Sequence, residues 1–239
     1  MANAQLFDLL HELRLPGMRE EIEHQFENPQ YDTMPFSDRA MRMAQAEVER
    51  RYRNKINRLM KNAQFKVSAE PEEIDYRGER NLDKSEILDL LKCDWIKRKR
   101  NILITGASGT GKTWLACALG VSAVRHELSV RYARAARIVE ELGYSRLDGS
   151  IPKLRKKIAN LDLLILDDFA LSPLSKQELT DLFEVIEDRS TMSSVIMISQ
   201  RPAVDWYDYI GDPLIADAFM DRVRSKAHLL QLEGRSLRN

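Results

Sequence analysis

Net charge is the first thing this sequence lacks: its 37 basic and 37 acidic residues cancel. No overall field draws the chain to a polyanion or a lipid surface, so nucleic-acid binding must come from local patches. Cysteine is nearly absent. Cys93 and Cys117 show neither pairing nor metal-site spacing and read as buried thiols in a reducing compartment. Four scattered histidines, His11, His24, His126 and His228, offer no ligand cluster. No apolar run approaches the roughly 20 residues of a membrane span, and the N-terminus has no signal-peptide pattern. The expectation is a soluble, cytoplasmic protein with no membrane partner. A hydrophobic fraction of 44% over 239 residues suffices for one α/β domain of ordinary size and a smaller appendage.

What is present centres on Gly106-Ala107-Ser108-Gly109-Thr110-Gly111-Lys112-Thr113. The apolar run Ile102-Leu103-Ile104 precedes it, and Trp114 opens a helical pattern after it. This is the strand–loop–helix context of a phosphate-binding P-loop. Glycines let backbone N–H groups turn inward around an anion, and the following helix adds its positive dipole end. Lys112 reaches the outer phosphates, and the Thr113 hydroxyl is placed to hold Mg²⁺. Gly106 through Thr113, with Trp114, are therefore the candidate ATP contacts.

The rest of the nucleotide domain follows in order. Ser129 to Ala133 reads as a second strand, with helices over Arg134 to Leu142 and Ile151 to Ala159. Leu161-Asp162-Leu163-Leu164-Ile165-Leu166-Asp167-Asp168 is a doubly buried strand ending in acid, the second part of a P-loop ATPase. Asp167 at its tip is the candidate Mg²⁺ ligand, and Asp168 the residue that orients or deprotonates the attacking water. A further buried strand, Ser194 to Ser199, delivers Gln200, or second to it Ser199, between the acidic tip and the γ-phosphate. A helix from Pro213 carries Arg222 and Arg224 near its end, and His228 to Glu233 is the last strand. Five buried strands alternating with helices predict a mainly parallel, three-layer α/β sheet with the nucleotide at the carboxyl ends of its strands.

The N-terminal third is helical throughout. Leu6, Leu9, Leu10 and Leu13 share one face before Pro16-Gly17 stops the first helix, and Met18, Ile22 and Phe26 mark a second. Ser37 is the expected N-cap of a third helix reaching Ala63, with Met41, Ala44, Val48, Tyr52, Ile56, Leu59 and Ala63 as its buried stripe. Two basic stretches stand out. Arg50, Arg51, Arg53, Lys55, Arg58, Lys61 and Lys66 run without an acid between them, and Arg146, Lys153, Arg155, Lys156 and Lys157 face only Asp148. Each is either a solvated helix face or a set of phosphate contacts to DNA. Residues 67–82, with Pro71 and Gly78, read as a linker. Asn81 or Asp83 is placed to cap a short helix ending near Trp95, and Trp95 and Ile96 either pack or touch adenine. The domains expected are 1–66, helical, for DNA binding or oligomerisation; 67–82, linker; and 83–239, nucleotide binding.

Taken together, Leu13-Arg14-Leu15-Pro16-Gly17-Met18, the P-loop, Leu164-Ile165-Leu166-Asp167-Asp168, Ile210-Gly211-Asp212-Pro213 with Asp221-Arg222, and Gly234-Arg235-Ser236-Leu237-Arg238 resemble the IstB family. These are AAA+ ATPases that help the transposase of their insertion sequence. The resemblance spans nearly the whole chain, and its Leu-Pro-Gly-Met and Gly-Asp-Pro segments are far more specific than the P-loop. It implies an ATP- and Mg²⁺-dependent homo-oligomer on duplex DNA, mainly without sequence preference, that recruits or activates a cognate transposase. It also implies an AAA+ domain over 83–239, Gln200 as a sensor, Arg222 as an arginine finger in trans, and Arg238 as a second sensor. Many relatives have Glu where this chain has Asp168, so slow hydrolysis stimulated by assembly is expected. The chain is also too short for the C-terminal helical lid of most AAA+ proteins, as in DnaC-like helicase loaders, which are the alternative reading. Such a loader binds single strands, for which aromatic platforms are the usual device, and the first basic run holds only Tyr52 and Phe65.

Overall fold

The computed structural model describes residues 2–76 and 80–236, so Gly78, Leu237 and Arg238 lie outside the described residues. Its contacts divide into two units, Met1–Arg58 and Leu59–Asn239.

The first unit holds α1 (Ala2–Glu12), α2 (Pro16–Glu27) and the greater part of α3 (Phe36–Ala63). Pro16 sits in the opening turn of α2, where a missing N–H costs nothing. Gly17 then touches α3: a Cβ there would stand 2.7 Å from the Ala46 carbonyl oxygen. The Gly17 and Met18 N–H groups donate to one Glu47 carboxylate oxygen, at 2.7 and 3.3 Å. Burial works to raise the Glu47 pKa, but bonds from Arg51, Gly17 and Met18 outweigh it and hold the carboxyl below the usual range. The Leu-Pro-Gly-Met segment is thus a helix start built to be gripped by an acid on a neighbouring helix.

Two expectations for α3 are corrected. Ser37 is not its N-cap: the helix starts one residue earlier, with Asp38 and Arg39 N–H donating to the Pro35 carbonyl. The buried stripe also fails over its first half, since Met41, Val48 and Tyr52 are exposed. The inward face lies one residue round, where Met43, Ala46, Glu47 and Arg50 are buried or half-buried. The polar contacts of Glu47, and of Arg50 with Glu20, decide that rotation.

In the second unit, β1 (Ile102–Gly106), β2 (Val130–Arg134), β3 (Leu163–Phe169), β4 (Ser194–Ser199) and β5 (His228–Leu232) form one sheet. Its order is β2-β3-β4-β1-β5 and every pair is parallel. The helices are α4 (Lys84–Leu91), α5 (Asp94–Lys97), α6 (Lys112–Arg125), α7 (Ala135–Leu147), α8 (Ile151–Ala159), α9 (Lys176–Arg189), α10 (Trp206–Ile210) and α11 (Pro213–Arg224). Strand alternation builds the layers. Leu103, Leu164, Leu166, Val195 and Met197 pack with residues of α7, α9 and α11, including Ile138, Leu182 and Phe219. Ile165 faces the opposite way, onto Gly120 of α6.

Three caps fix helix starts: Asp83 for α4, a Ser175–Glu178 capping box for α9, and Asp212 for α11. Asn101, just before β1, accepts the Val195 N–H at 2.9 Å and donates to the Arg222 and Val223 carbonyls, tying β4 to the end of α11. Arg189 is fully buried, donating to the Ile158 and Ser194 carbonyls, and burial pulls its pKa down to about 10. Residues 65–74, which join the end of the expected helical domain to the first part of the expected 67–82 linker, pack as a strap on this unit. Phe65 fills a notch at Gly120, Ala69 and Ile74 are buried, and Arg125 of α6 pairs with Glu70 and Glu72.

Candidate nucleotide-binding site

The loop between β1 and α6 needs its glycines. Gly106, Gly109 and Gly111 have φ of +146°, +84° and +87°. A Cβ on Gly106 would lie 2.2 Å from the Leu232 carbonyl oxygen, so neither backbone angle nor space admits another residue. Thr110 is buried and closes the turn on the Ala107 carbonyl at 2.9 Å. Arg80 braces it from outside, donating to the Thr110 carbonyl at 3.0 Å. Gly111 caps α6, whose first N–H groups are the orphan donors of a helix start. The Lys112 ammonium lies back across the loop, donating to the Gly106 and Ala107 carbonyls at 2.7 and 2.6 Å. Trp114 is half-buried on the first turn of α6. Ser108 is exposed at the loop crest.

The tip of β3 meets this loop. Asp167 is buried, and its Oδ2 accepts from the Thr113 hydroxyl at 2.9 Å and from the Tyr132 hydroxyl at 2.6 Å. Its Oδ1 accepts the Asp168 N–H at 2.8 Å. Burial, and then the bond to Asp167, push the Tyr132 phenol far above its ordinary pKa. Thr113 and Asp167 thus juxtapose two hard oxygen ligands beside a phosphate cradle, the donor set that Mg²⁺ takes alongside phosphate oxygens. The glycine cradle and this oxygen pair both fit MgATP. Asp168 turns the chain at φ +58°, and its carboxylate lies 3.4 Å from Arg134 Nε. At the neighbouring β4 tip, Ser199 is committed, donating to the Phe169 carbonyl at 2.8 Å and accepting the Arg201 N–H at 3.1 Å. Gln200 is exposed.

Other sequence-predicted residues fall elsewhere. Arg222 forks onto Glu187 of α9 within the same chain, and that bond raises its pKa further; Arg224, two residues on, is exposed. Trp95 is buried with its indole N–H on the Leu90 carbonyl at 2.9 Å, a packing role. Within the basic stretches, Arg50 pairs with Glu20, Arg51 with Glu47, Arg146 with Asp181, and Arg155 with Asp188 and Glu184. Arg53, Arg58, Lys61, Lys153 and Lys156 are exposed, and Lys55 is half-buried. Tyr132, Arg134 and Arg80 also belong to the site, and no sequence motif marks them. Only strand alternation, which sets Tyr132 on the α6 side of β2, hints at the first.

The family described as "IstB-like ATP binding protein" matches residues 8–239. The chain belongs to this family. Among its relatives, the IstB-like chain is 38% identical over 231 residues to the insertion sequence ATP-binding protein y4pL of Sinorhizobium fredii, covering 97% of this chain and 94% of that one. It is 40% identical over 195 residues to the ATP-binding protein of insertion sequence IS1162 from Pseudomonas fluorescens, covering 81% and 84%. The fold also matches the crystal structure of the DnaC helicase loader with a TM-score of 0.55 at 19% identity, over 69% of this chain and 97% of that one. The parallel sheet with its flanking helices is thus the AAA+ architecture of an IstB-like protein. Among the described residues no helix is long and apolar enough to cross a membrane.

Proposed function

We propose that this IstB-like chain is an ATPase that binds MgATP, assembles as a homo-oligomer on duplex DNA, and recruits or activates the transposase of its insertion sequence. The observation that carries the nucleotide part of the reading is the Thr113–Asp167 pair, 2.9 Å apart at the mouth of the glycine cradle, and the insertion-sequence relatives support the rest. Lys112 leaves its loop carbonyls to meet the β- and γ-phosphates. Thr113 and Asp167 hold Mg²⁺, which when bound neutralises charge on the phosphate oxygens. Asp168, steadied by Arg134, orients the attacking water and takes its proton. Gln200 is the free polar group at the β4 tip, because Ser199 is already committed. Arg222 serves a neighbouring subunit's nucleotide after exchanging Glu187 for it, so hydrolysis depends on assembly. Arg53, Arg58, Lys61, Lys153 and Lys156 are the phosphate contacts to DNA, since their side chains are exposed.

A second reading, a DnaC-like loader acting on single strands, gains one observation: Tyr52 stands exposed on the basic helix rather than in a core. The nucleotide half of either reading is tested by Lys112→Ala. Affinity for a fluorescent ATP analogue is expected to fall by about a hundredfold, the loss of a charge-assisted phosphate contact or two. Unchanged affinity contradicts the site.

A further inference from the structure

Lys66 has no role in the site as described, yet its ammonium stands 3.9 Å from Asp167 Oδ2, with the side chain 33% exposed. Its backbone is fixed from two sides. The preceding Phe65 ring fills the notch at Gly120, where a Cβ would come within 2.6 Å. The Cys117 thiol takes backbone hydrogen bonds from Lys66 and Val67. A segment docked this firmly aims one cation at the acid that is to hold Mg²⁺.

Lys66 also lines an open groove of about 1470 Å³ that runs along β2, one of the two edge strands of the sheet. Six cations, Lys61, Lys66, Arg131, Arg134, Arg137 and Lys157, line it against three glutamates. Two of those glutamates, Glu140 and Glu141, are taken by Arg137 and Arg131. Arg134 is paired with Asp168 and Lys66 with Asp167, so among the described residues the groove cations without a carboxylate partner are Lys61 and Lys157, in a chain whose net charge is zero. Tyr132, whose hydroxyl also reaches Asp167, forms part of the same wall.

We propose that Lys66 couples this groove to the metal site: with the groove empty its ammonium neutralises Asp167 and opposes Mg²⁺, and a DNA phosphodiester in the groove draws it away. The inference rests on the DNA-binding ATPase reading above. It assigns the groove along β2 to the duplex backbone and gives Lys66, a positioning residue, the task of reporting its presence to Asp167. A cation cannot neutralise a phosphate and Asp167 equally well at once, and Mg²⁺ entering beside Thr113 and Asp167 meets a like charge until Lys66 leaves.

The test reads metal binding rather than turnover. Mn²⁺ is titrated by EPR into the full chain with a non-hydrolysable ATP analogue, with and without a saturating duplex. Wild type is expected to bind Mn²⁺ about tenfold more tightly with duplex, an ordinary coupling between linked sites. Lys66→Met should bind it tightly without duplex and gain nothing further; Lys66→Gln gives the same reading should the Met variant fail to fold. Lys66→Arg should keep the duplex response. Lys157→Ala should raise the duplex concentration required by about fivefold, through a lost phosphate contact. A neutral Lys66 variant that responds to duplex as wild type does overturns the proposal, as does an unchanged duplex requirement in Lys157→Ala. Wild type that binds both duplex and Mn²⁺ without coupling overturns it too, and leaves the DNA-binding ATPase reading intact. Wild type that binds no duplex at all removes that reading and the proposal together.

Discussion

Gly17→Ala is the sharpest structural probe of the N-terminal unit. The added methyl would lie 2.7 Å from the Ala46 carbonyl oxygen and 2.9 Å from Glu47 Cα, both backbone atoms of α3. Ordinary contact is roughly 3.4 Å or more, so α2 must retreat by about 0.5 Å or more. That retreat lengthens the 2.7 Å bond from the Gly17 N–H to the Glu47 carboxylate. Overpacking costs about 1–3 kcal/mol, and a weakened hydrogen bond to a charged group contributes up to about 1.5–3 kcal/mol, the two overlapping. Alanine returns up to about 1 kcal/mol through helix propensity. The net expectation is a loss of about 2–3 kcal/mol in the first unit. Urea titration followed by circular dichroism gives the magnitude, and amide hydrogen exchange should place the lost protection in α2 and α3. Affinity for an ATP analogue should not change, because these contacts all lie within the first unit. A variant as stable as wild type would refute the close approach of α2 to α3 and leave the Leu-Pro-Gly-Met segment without its physical explanation.

Gly106→Ala sets a Cβ 2.2 Å from the Leu232 carbonyl oxygen at φ +146°. ATP-analogue affinity should fall by at least about tenfold, or about 1.4 kcal/mol, and wild-type affinity would contradict the cradle geometry. Arg189→Met leaves the Ile158 and Ser194 carbonyls without their buried donor. Relief of a desolvated charge offsets part of that loss, so a net destabilisation of about 1–3 kcal/mol is expected in urea titration; a more stable variant would show that the charge cost dominates. Cys93 and Cys117 are buried, and burial pushes the Cys93 thiol up to about 11. Neither should react with a thiol reagent at pH 8 until the protein unfolds, and rapid labelling of the native chain would contradict their burial.

The nucleotide half of the molecule was legible because its signals are local. The P-loop spacing names a backbone conformation, and its three glycines adopt the positive φ that the spacing requires. Runs such as Leu163 to Leu166 and Val195 to Ile198 are apolar on both faces, as strands covered by helices on both sides must be. The misses have non-local causes. The inward face of α3 lies one residue round from its apolar stripe because the apolar periodicity competes with a polar grip: Glu47 turns inward to hold the start of α2, thirty positions earlier in the chain. The arginines of the basic stretches looked available because their acids, Glu20, Asp181 and Asp188 among them, lie on other helices. No motif marks Tyr132 or Lys66, which reach Asp167 from 35 and 101 residues away.

The central claim is that nucleotide at the Gly106–Thr113 cradle controls binding to duplex DNA. Its most direct test is a gel-shift titration with duplex and single strands of equal length, run without nucleotide, with ADP, and with a non-hydrolysable ATP analogue. The account predicts duplex binding that appears with the ATP analogue and not with ADP. A preference for single strands would contradict it in favour of a helicase loader, and binding to neither would reduce the exposed lysines and arginines to solvated faces.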